Sequence, residues 1–144
     1  MTDQVLSDTT STRHPDPPAA PTVVVQPIDG YHNTLVMTWQ QIIHPPDVRT
    51  AFEAICGALR SGDGPVYVVV DLLSDPKFPL SETMMSAVNC YANPQLGAWL
   101  IVGGNRGARA IESFLARVTR RQNVFWFDTM DEALAYRVGL DAEG

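Results

Sequence analysis

The pattern of apolar and polar residues divides the chain into short strand-like runs and longer helical repeats. Residues 22–28 (TVVVQPI) and 34–41 (TLVMTWQQ) are strand-like, and an Asp-Gly pair between them favours a hairpin. Pro27 suits an edge strand because its nitrogen cannot donate a hydrogen bond to a neighbouring strand. In residues 48–60 the apolar side chains recur at the spacing of a helix, at Val48, Ala51, Phe52, Ile55 and Leu59.

After this helix the chain alternates between strands and helices. Val66–Leu72 is apolar on both faces, as in a strand buried inside a parallel sheet. We expect further strands at residues 97–102 and Val124–Phe127, and further helices at residues 81–91, 106–121 and 131–138. The order β-β-α-β-α-β-α-β-α predicts an α/β fold with a mostly parallel five-stranded sheet, an antiparallel N-terminal hairpin and four helices.

Length and composition indicate one domain between two less structured ends. The chain has 144 residues, which is enough for a single domain of ordinary size. Its first 21 residues are rich in Ser, Thr, Asp and Pro, and such a segment buries too little apolar surface to offset its ordering entropy. We therefore predict a disordered tail over residues 1–21, a domain over residues 22–140 and a frayed end over residues 141–144.

Net charge and hydropathy limit the kinds of partner. The formal net charge is −6 and the pI is about 4.8, which argues against nucleic acid because phosphate contacts need a basic face. No apolar run approaches the roughly 20 residues needed to span a bilayer, so no membrane partner is expected. Cys56 and Cys90 fall within helical patterns, where buried free thiols are favoured over a disulfide or a shared metal. A cytoplasmic location is the resulting prediction.

The corner between the third strand and the second helix is the first candidate site. The strand ends at the acid Asp71, and a Pro-punctuated loop leads to a helix that Ser81 is placed to cap. Ligands of α/β folds bind at such corners. Met84 and Met85 at the helix start offer an adaptable contact surface.

This corner and the element order resemble the STAS domain of anti-sigma-factor antagonists. That family carries a loop of the form Asp-Leu-Ser-x-Val-x-Phe followed by Asp-Ser-Ser-Gly at the second helix. The matching residues here are Asp71, Leu72 or Leu73, Ser74, Phe78 and Ser81. The family's closing Val-Phe-x-x-x-x-x-Glu-Ala-Leu segment is similar to Val124-Phe125 followed by Glu132-Ala133-Leu134.

The resemblance implies a non-enzymatic regulatory module whose partner is a protein, such as a kinase or an anti-sigma-like regulator. In the family, a serine at this helix start is phosphorylated, and phosphorylation breaks binding to the partner. If Ser81 is that serine, the switch is present; if the register moves by one, the acid Glu82 stands there and no switch exists. The plain alternative is that Ser81 only caps the helix.

The second candidate site is the turn Gly103-Gly104-Asn105-Arg106-Gly107, which follows a strand and opens a helix. Its Gly104, Asn105, Arg106 and Gly107 could bind an anion at the helix start. The turn also mimics a dinucleotide-binding loop, although Val102 replaces the first glycine of that fingerprint. A nucleotide-binding enzyme is thus a further hypothesis, but we expect no catalytic group and no cofactor.

Other features have a structural and a functional interpretation. The helix of residues 106–121 carries five arginines against the lone Glu112, which suits a solvated face or the docking of an acidic partner. Asp71, Asp75 and Asp128 follow parallel strands and could hold Mg²⁺, although no metal site is predicted. Three tryptophans fall in strands, where core packing is expected. The abundance of apolar residues also allows a small-ligand or lipid carrier with an apolar pocket. The oligomeric state stays open.

Overall fold

The computed structural model describes residues 20–62 and 64–143, so residues 1–19 of the tail expected over residues 1–21 lie outside the described residues. The predicted fold class is confirmed, with five strands and four helices in the predicted order. The elements are β1 (Val23–Pro27), β2 (Thr34–Trp39), α1 (Pro45–Ser61), β3 (Val66–Leu72), α2 (Leu80–Ala92), β4 (Leu96–Gly103), α3 (Arg106–Thr119), β5 (Val124–Phe127) and α4 (Met130–Glu143).

The strands lie in the sheet in the same order as in the chain. β1 pairs antiparallel with β2, and β2, β3, β4 and β5 are parallel neighbours. Each parallel step therefore advances by one strand in the same direction. Right-handed crossovers that all advance in one direction place their helices on the same face of the sheet. The loops that follow the parallel strands all meet at one edge of the sheet.

Two apolar layers cover the two faces of the sheet. The larger layer packs buried residues of α1, α2 and α3 against side chains such as Met37, Trp39 and Trp99. The smaller layer packs α4, through Ala133 and its neighbours, against Val69, Leu100 and other strand residues. β3 and β4 contribute to both layers, which explains why their sequences are apolar on both faces.

The last helix extends further than the sequence pattern predicted. α4 continues through Glu143, three residues beyond the predicted domain end at residue 140, so residues 141–143 belong to the helix. Asp141 accepts a hydrogen bond from Arg137 at 2.8 Å, which holds this last turn. At the other end of α4, Thr129 and Glu132 form a capping box. The Glu132 carboxylate accepts the N–H of Thr129, and the Thr129 hydroxyl accepts the N–H of Glu132.

The prediction of free thiols is also wrong. Cys56 of α1 and Cys90 of α2 form a disulfide, with their Cα atoms 5.7 Å apart. Free cysteines were one ground for expecting a cytoplasmic location, and stable disulfides belong to oxidising compartments. The cytoplasmic location stays a prediction, and the disulfide argues against it. No helix in the described part of the chain is long and apolar enough to cross a membrane.

Candidate functional site

The loop between β3 and α2 is held by hydrogen bonds at both ends. The carboxylate of Asp71 accepts the N–H of Leu73 at 3.0 Å, which turns the chain directly after the strand. Further on, the N–H of Lys77 donates to the carbonyl oxygen of Gln41 at 3.0 Å. The β3–α2 loop is thus joined to the β2–α1 loop along the carboxyl edge of the sheet, where the sequence placed the first candidate site.

Asn105 joins the two candidate sites. Its amide nitrogen donates to the carboxylate of Asp75 at 2.8 Å and to the carbonyl oxygen of Pro76 at 2.9 Å. Its amide oxygen accepts the N–H of Ala108 at 2.9 Å and so caps α3. One side chain therefore fixes both the loop after β3 and the start of the helix after β4.

The Gly-rich turn is shaped by packing around this cap. Gly104 has a φ of +129°, and a Cβ there would lie 2.9 Å from the ring of Trp126. Gly107 lies against the ring of Phe78, with 3.0 Å available to a Cβ. Arg106 is exposed. Asn105 already accepts the N–H of Ala108, and the negative carboxylate of Asp75 lies beside it. Both features disfavour the binding of an anion or a pyrophosphate group at this helix start.

The predicted cap of the second helix is wrong. α2 begins at Leu80, one residue earlier than predicted, and Pro79 is its N-cap residue with no capping side chain. The Ser81 hydroxyl is therefore exposed on the first turn and makes no capping hydrogen bond. Instead, Thr83 bonds back to the carbonyl oxygen of Pro79 through its N–H at 2.9 Å and its hydroxyl at 2.8 Å.

The candidate residues of the β3–α2 corner divide between the surface and the core. We call the exposed group the α2 entry surface, and it consists of Leu73, Ser74, Leu80, Ser81 and Met85. Ser81 and Met85 are four residues apart and share the outward side of α2. Phe78 and Met84 are half-buried and pack against the larger apolar layer. The sequence predicted a contact surface for both methionines, but only Met85 is exposed.

Glu82 faces α1 rather than the α2 entry surface. Its carboxylate lies 3.5 Å from the guanidinium group of Arg49 and accepts a hydrogen bond from the Ser86 hydroxyl at 3.1 Å. A groove of about 570 Å³ runs between α1 and α2 at this point, and Met85 lines it. The groove is lined by two basic and two acidic side chains, which are Arg49, Arg60, Glu53 and Glu82. It therefore selects neither an acidic nor a basic partner.

The basic helix is only partly a solvated face. Arg109 stacks on Trp126, with 3.8 Å from its guanidinium carbon to the ring centre. Arg121 donates to the carbonyl oxygens of Asn93 and Leu96, so it secures the α2–β4 loop. Arg106, Arg117 and Arg120 are exposed. The acids Asp71, Asp75 and Asp128 are not part of any group of three metal-ligating side chains in the described residues.

A cavity lies inside the larger apolar layer, between the sheet and the helices. Its volume is about 40 Å³. Its most prominent walls are the aromatic rings of Trp39, Phe52, Phe78, Tyr91 and Trp99. The rings pack on one another: Tyr91 and Trp99 are stacked at 4.6 Å, and Trp39 meets Phe78 edge to face at 4.9 Å.

Two donors of this aromatic cluster are without partners. The indole N–H groups of Trp39 and Trp99 are buried, and neither makes a hydrogen bond. A buried donor without an acceptor costs about 1–3 kcal/mol. Burial raises the pKa of the Tyr91 hydroxyl, and the nearby carboxylate of Glu112 raises it further, so this hydroxyl keeps its proton at neutral pH.

The sequence alone did not reveal the cavity, Asn105 as a bridge or the burial of Arg137. The aromatic residues of the cavity come from β2, α1, the β3–α2 loop, α2 and β4, so no local pattern joins them. The position of Asn105 directly before an amphipathic helix does predict its capping role. The partners of Asn105 lie about 30 positions earlier in the chain, and only the tertiary fold brings them together.

The fold defines the chain as an α/β domain with three helices on one face of a parallel sheet and one helix on the other. Comparison of the chain with protein-family models and with curated proteins finds no match.

Proposed function

We propose that this protein is a non-enzymatic regulatory module that binds a partner protein through the α2 entry surface. The observation that carries the proposal is the grouping of exposed apolar side chains at one corner. Leu73, Leu80 and Met85 are 58%, 43% and 72% exposed, and all three lie within 13 residues of the chain. Ile42, which is also exposed, lies in the loop that is hydrogen-bonded to this corner. Grouped apolar side chains at a surface favour a protein contact.

The position of Ser81 supports a regulatory role for this surface. Its hydroxyl is exposed on the first turn of α2, next to Leu80 and one turn from Met85. A phosphate at this place is tolerated by the helix start, because free N–H groups and the helix dipole favour negative charge there. The same charge opposes an apolar contact. The STAS resemblance implies a kinase or an anti-sigma-like regulator as the partner.

Site-specific crosslinking identifies the partner. A photoreactive phenylalanine analogue is placed at Met85, and in a matched protein at Val138, which is 54% exposed on α4. We expect one protein to be captured from position 85 in the source cells and not from position 138. Capture that is equal at both positions, or at neither, contradicts the proposal.

Binding measurements with the purified partner then test the surface itself. The triple variant Leu73→Ser/Leu80→Ser/Met85→Ser should weaken binding by about tenfold or more, equivalent to about 1.4 kcal/mol, because it removes the central apolar contacts. The control Val118→Ser, which changes a 53% exposed residue on α3, should leave the affinity within about twofold. Ser81→Asp should weaken binding more than Ser113→Asp, which adds the same charge to exposed α3 positions. Equal effects of the two serine variants would remove the regulatory part of the proposal.

The core cavity favours a second function, that of a small-ligand carrier. The walls are apolar, but the interior, about 40 Å³, is far smaller than an acyl chain requires, since even benzene occupies cavities of roughly 150 Å³. A lipid is therefore not the ligand that this cavity fits.

A further inference from the structure

Positive charge is concentrated in α3 and the two residues that follow it. Residues 106–121 contain five of the ten basic side chains and one of the sixteen acidic ones, which gives this segment a net charge of +4. The remaining 128 residues have five basic and fifteen acidic side chains, a net charge of −10. The protein is therefore strongly polarised, and its basic segment attracts acidic molecules although the whole chain is acidic.

Most of these arginines lie in one exposed row along α3. We call this row the arginine stripe, and it consists of Arg106, Arg109, Arg117 and Arg120, with the exposed Ser113 in the middle. At 100° per residue, the members within α3 fall in a sector of about 80°, opposite the buried Ile111 and Leu115. Arg120 follows as the C-cap residue. Each end of the row holds two arginines, and the two pairs are about 16 Å apart along the axis, which is three turns.

None of these arginines is ion-paired within the described part of the chain. The ion pairs among the described side chains are Arg49–Glu82 and Arg137–Asp141. Glu112, the one acid of α3, lines the core cavity instead of joining the row. Solvated helix faces mix charges of both signs, whereas this row has one sign. Like charges three or four positions apart in a helix repel each other, so a bound acid would relieve a repulsion that is built into α3.

The first two arginines of the stripe also differ from ordinary solvated side chains. Arg106 is the first residue of α3, where the helix dipole disfavours a positive charge. The carboxylate beside this helix start, that of Asp75, is bonded by Asn105. Arg109 is held on the ring of Trp126, and its planar guanidinium keeps an N–H edge with which it can bind a carboxylate. Because this side chain is already ordered, binding costs it less conformational entropy.

We propose that the arginine stripe docks an acidic helix of a partner protein, which lies along α3 and carries two pairs of carboxylates about three turns apart. Acidic residues three or four positions apart in a helix have the same axial spacing as the arginines of each pair, so the two helices stay in register. Each guanidinium can bind a carboxylate through two parallel hydrogen bonds. The inference goes beyond the proposed function, because it uses a different helix from the α2 entry surface and either surface can fail without the other.

The width of the basic surface favours a helix over a larger polyanion. α1, α2 and α3 pack on the same face of the sheet, and the groove between α1 and α2 is lined by charges of both signs. A nucleic-acid duplex or a flat anionic membrane would extend over these neighbouring helices and gain little attraction there. The stripe itself is one helix wide and about 21 Å long, which matches a single acidic helix.

The test uses a synthetic helical peptide of alanine and glutamine with two glutamate pairs three turns apart. Its isomer, with the same composition but with the two pairs adjacent, is the matched control. The isotope-labelled full-length protein is titrated with each peptide, and the backbone amide signals of α3, rather than those of α4, should shift. Exposed ion pairs are individually weak, so we expect a dissociation constant on the order of 1 mM at low salt and at least about threefold weaker binding of the isomer. Added salt should weaken both.

Paired arginine variants test the position of the charge. Arg106→Gln/Arg117→Gln removes one arginine from each pair and should weaken binding of the peptide about fivefold. Arg49→Gln/Arg60→Gln removes the same charge from exposed positions of α1 and should change the affinity by less than about twofold.

Paired serine variants separate this surface from the α2 entry surface. Ser113→Asp places a carboxylate within the stripe and should weaken binding of the acidic peptide, because like charges repel. Ser81→Asp adds the same charge to the first turn of α2 and should not. The order of the two effects is the reverse of that expected for the partner of the α2 entry surface, so failure of one proposal is distinguishable from failure of the other.

Three results overturn the proposal. The first is equal affinity for the peptide and its isomer, which removes the helical register. The second is an equal loss of affinity in the two arginine double variants, which leaves only attraction by net charge. The third is a shift or broadening of the α3 signals by a short DNA duplex, or by phosphatidylglycerol vesicles, at a lower concentration of negative charge than the peptide requires.

Discussion

Arg137 is the only buried charged side chain in the described residues, with 1% of its surface exposed. Its guanidinium group donates to the hydroxyl of Thr34 at 2.7 Å, to the carbonyl oxygen of His32 and to the carboxylate of Asp141 at 2.8 Å. It also stacks on Tyr67, with 4.1 Å to the ring centre. A buried charge with this many partners is compensated, so α4 can lie flat on the sheet with an arginine beneath it.

We predict that Arg137→Ala lowers the free energy of unfolding by about 2–4 kcal/mol, because it leaves a void and removes the donors that serve Thr34 and His32. Urea denaturation measures the change. Asp141→Asn is the control: its side chain is two-thirds exposed, so it should cost less than about 1 kcal/mol. Similar losses for the two variants would show that the exposed ion pair, rather than burial, is what matters.

Asp47 joins the start of β1 to the start of α1. Its carboxylate accepts the N–H and the hydroxyl of Thr22, both at 2.8 Å, and the Thr22 hydroxyl in turn accepts the N–H of His44 at 2.9 Å. These bonds favour the charged carboxylate and hold the pKa of Asp47 below its usual value of 3.8.

This lowered pKa predicts a pH dependence with a definite sign. The unfolded chain takes up the proton at a higher pH than the folded chain does. The stability that Asp47 contributes is therefore complete above its unfolded pKa and is lost as the pH falls through the lower folded pKa. We expect Asp47→Asn to reduce the urea midpoint at pH 7, and the difference from the unchanged protein to shrink below about pH 4. Asp29→Asn, in the exposed hairpin turn, controls for the loss of one negative charge. A difference that grows as the pH falls would contradict this assignment.

At the scale of elements, the disulfide between Cys56 and Cys90 ties α1 to α2 across 34 positions of the chain. α2 also contacts α3, so the bridge fixes the first pair in a row of three helices. Closing a loop of this length restricts the unfolded chain more than the folded one. The bridge is therefore a stabilising element.

We predict that reduction, or the double variant Cys56→Ser/Cys90→Ser, lowers the free energy of unfolding by about 2–4 kcal/mol. Reductant should have no effect on the double variant, which serves as the control for direct effects of the reagent. Alkylation of the denatured, unreduced protein should modify neither cysteine. Modification of both would show that the purified protein carries thiols.

Most element boundaries could be predicted because each element has its own local pattern. The apolar positions of α1 in the sequence, from Val48 to Leu59, are the ones that the structure buries. The spacing of apolar residues predicts burial less accurately in α3, where Ile111 and Leu115 are buried but the apolar Ala110 and Val118 are exposed. A helix face about 100° wide is read from spacing alone, so residues at its margins are easily assigned to the wrong side.

For the molecule as a whole, the order of strands and helices was enough to predict the fold. Parallel strands need crossovers, and crossovers have one hand, so the sequence order limits the topology strongly. For the same reason, the sequence order was enough to predict that the β3–α2 and β4–α3 loops lie at the carboxyl edge of the sheet. The details of that edge depend on contacts between distant residues, such as Asn105 with Asp75 and Cys56 with Cys90. No local periodicity encodes these pairs, which is why the bridging role of Asn105 and the disulfide were not predicted.

Phe78 belongs to two environments at once. Its ring is part of the cavity wall, and its backbone lies in the loop that carries Leu73 and Ser74 and leads into Leu80. The packing of this ring in the cavity therefore bears directly on the loop that presents the α2 entry surface. If occupancy of the cavity alters the affinity of a partner by some factor, the partner must alter the affinity of the cavity by the same factor. Binding in the cavity and binding at the α2 entry surface would then be coupled through the position of the Phe78 ring.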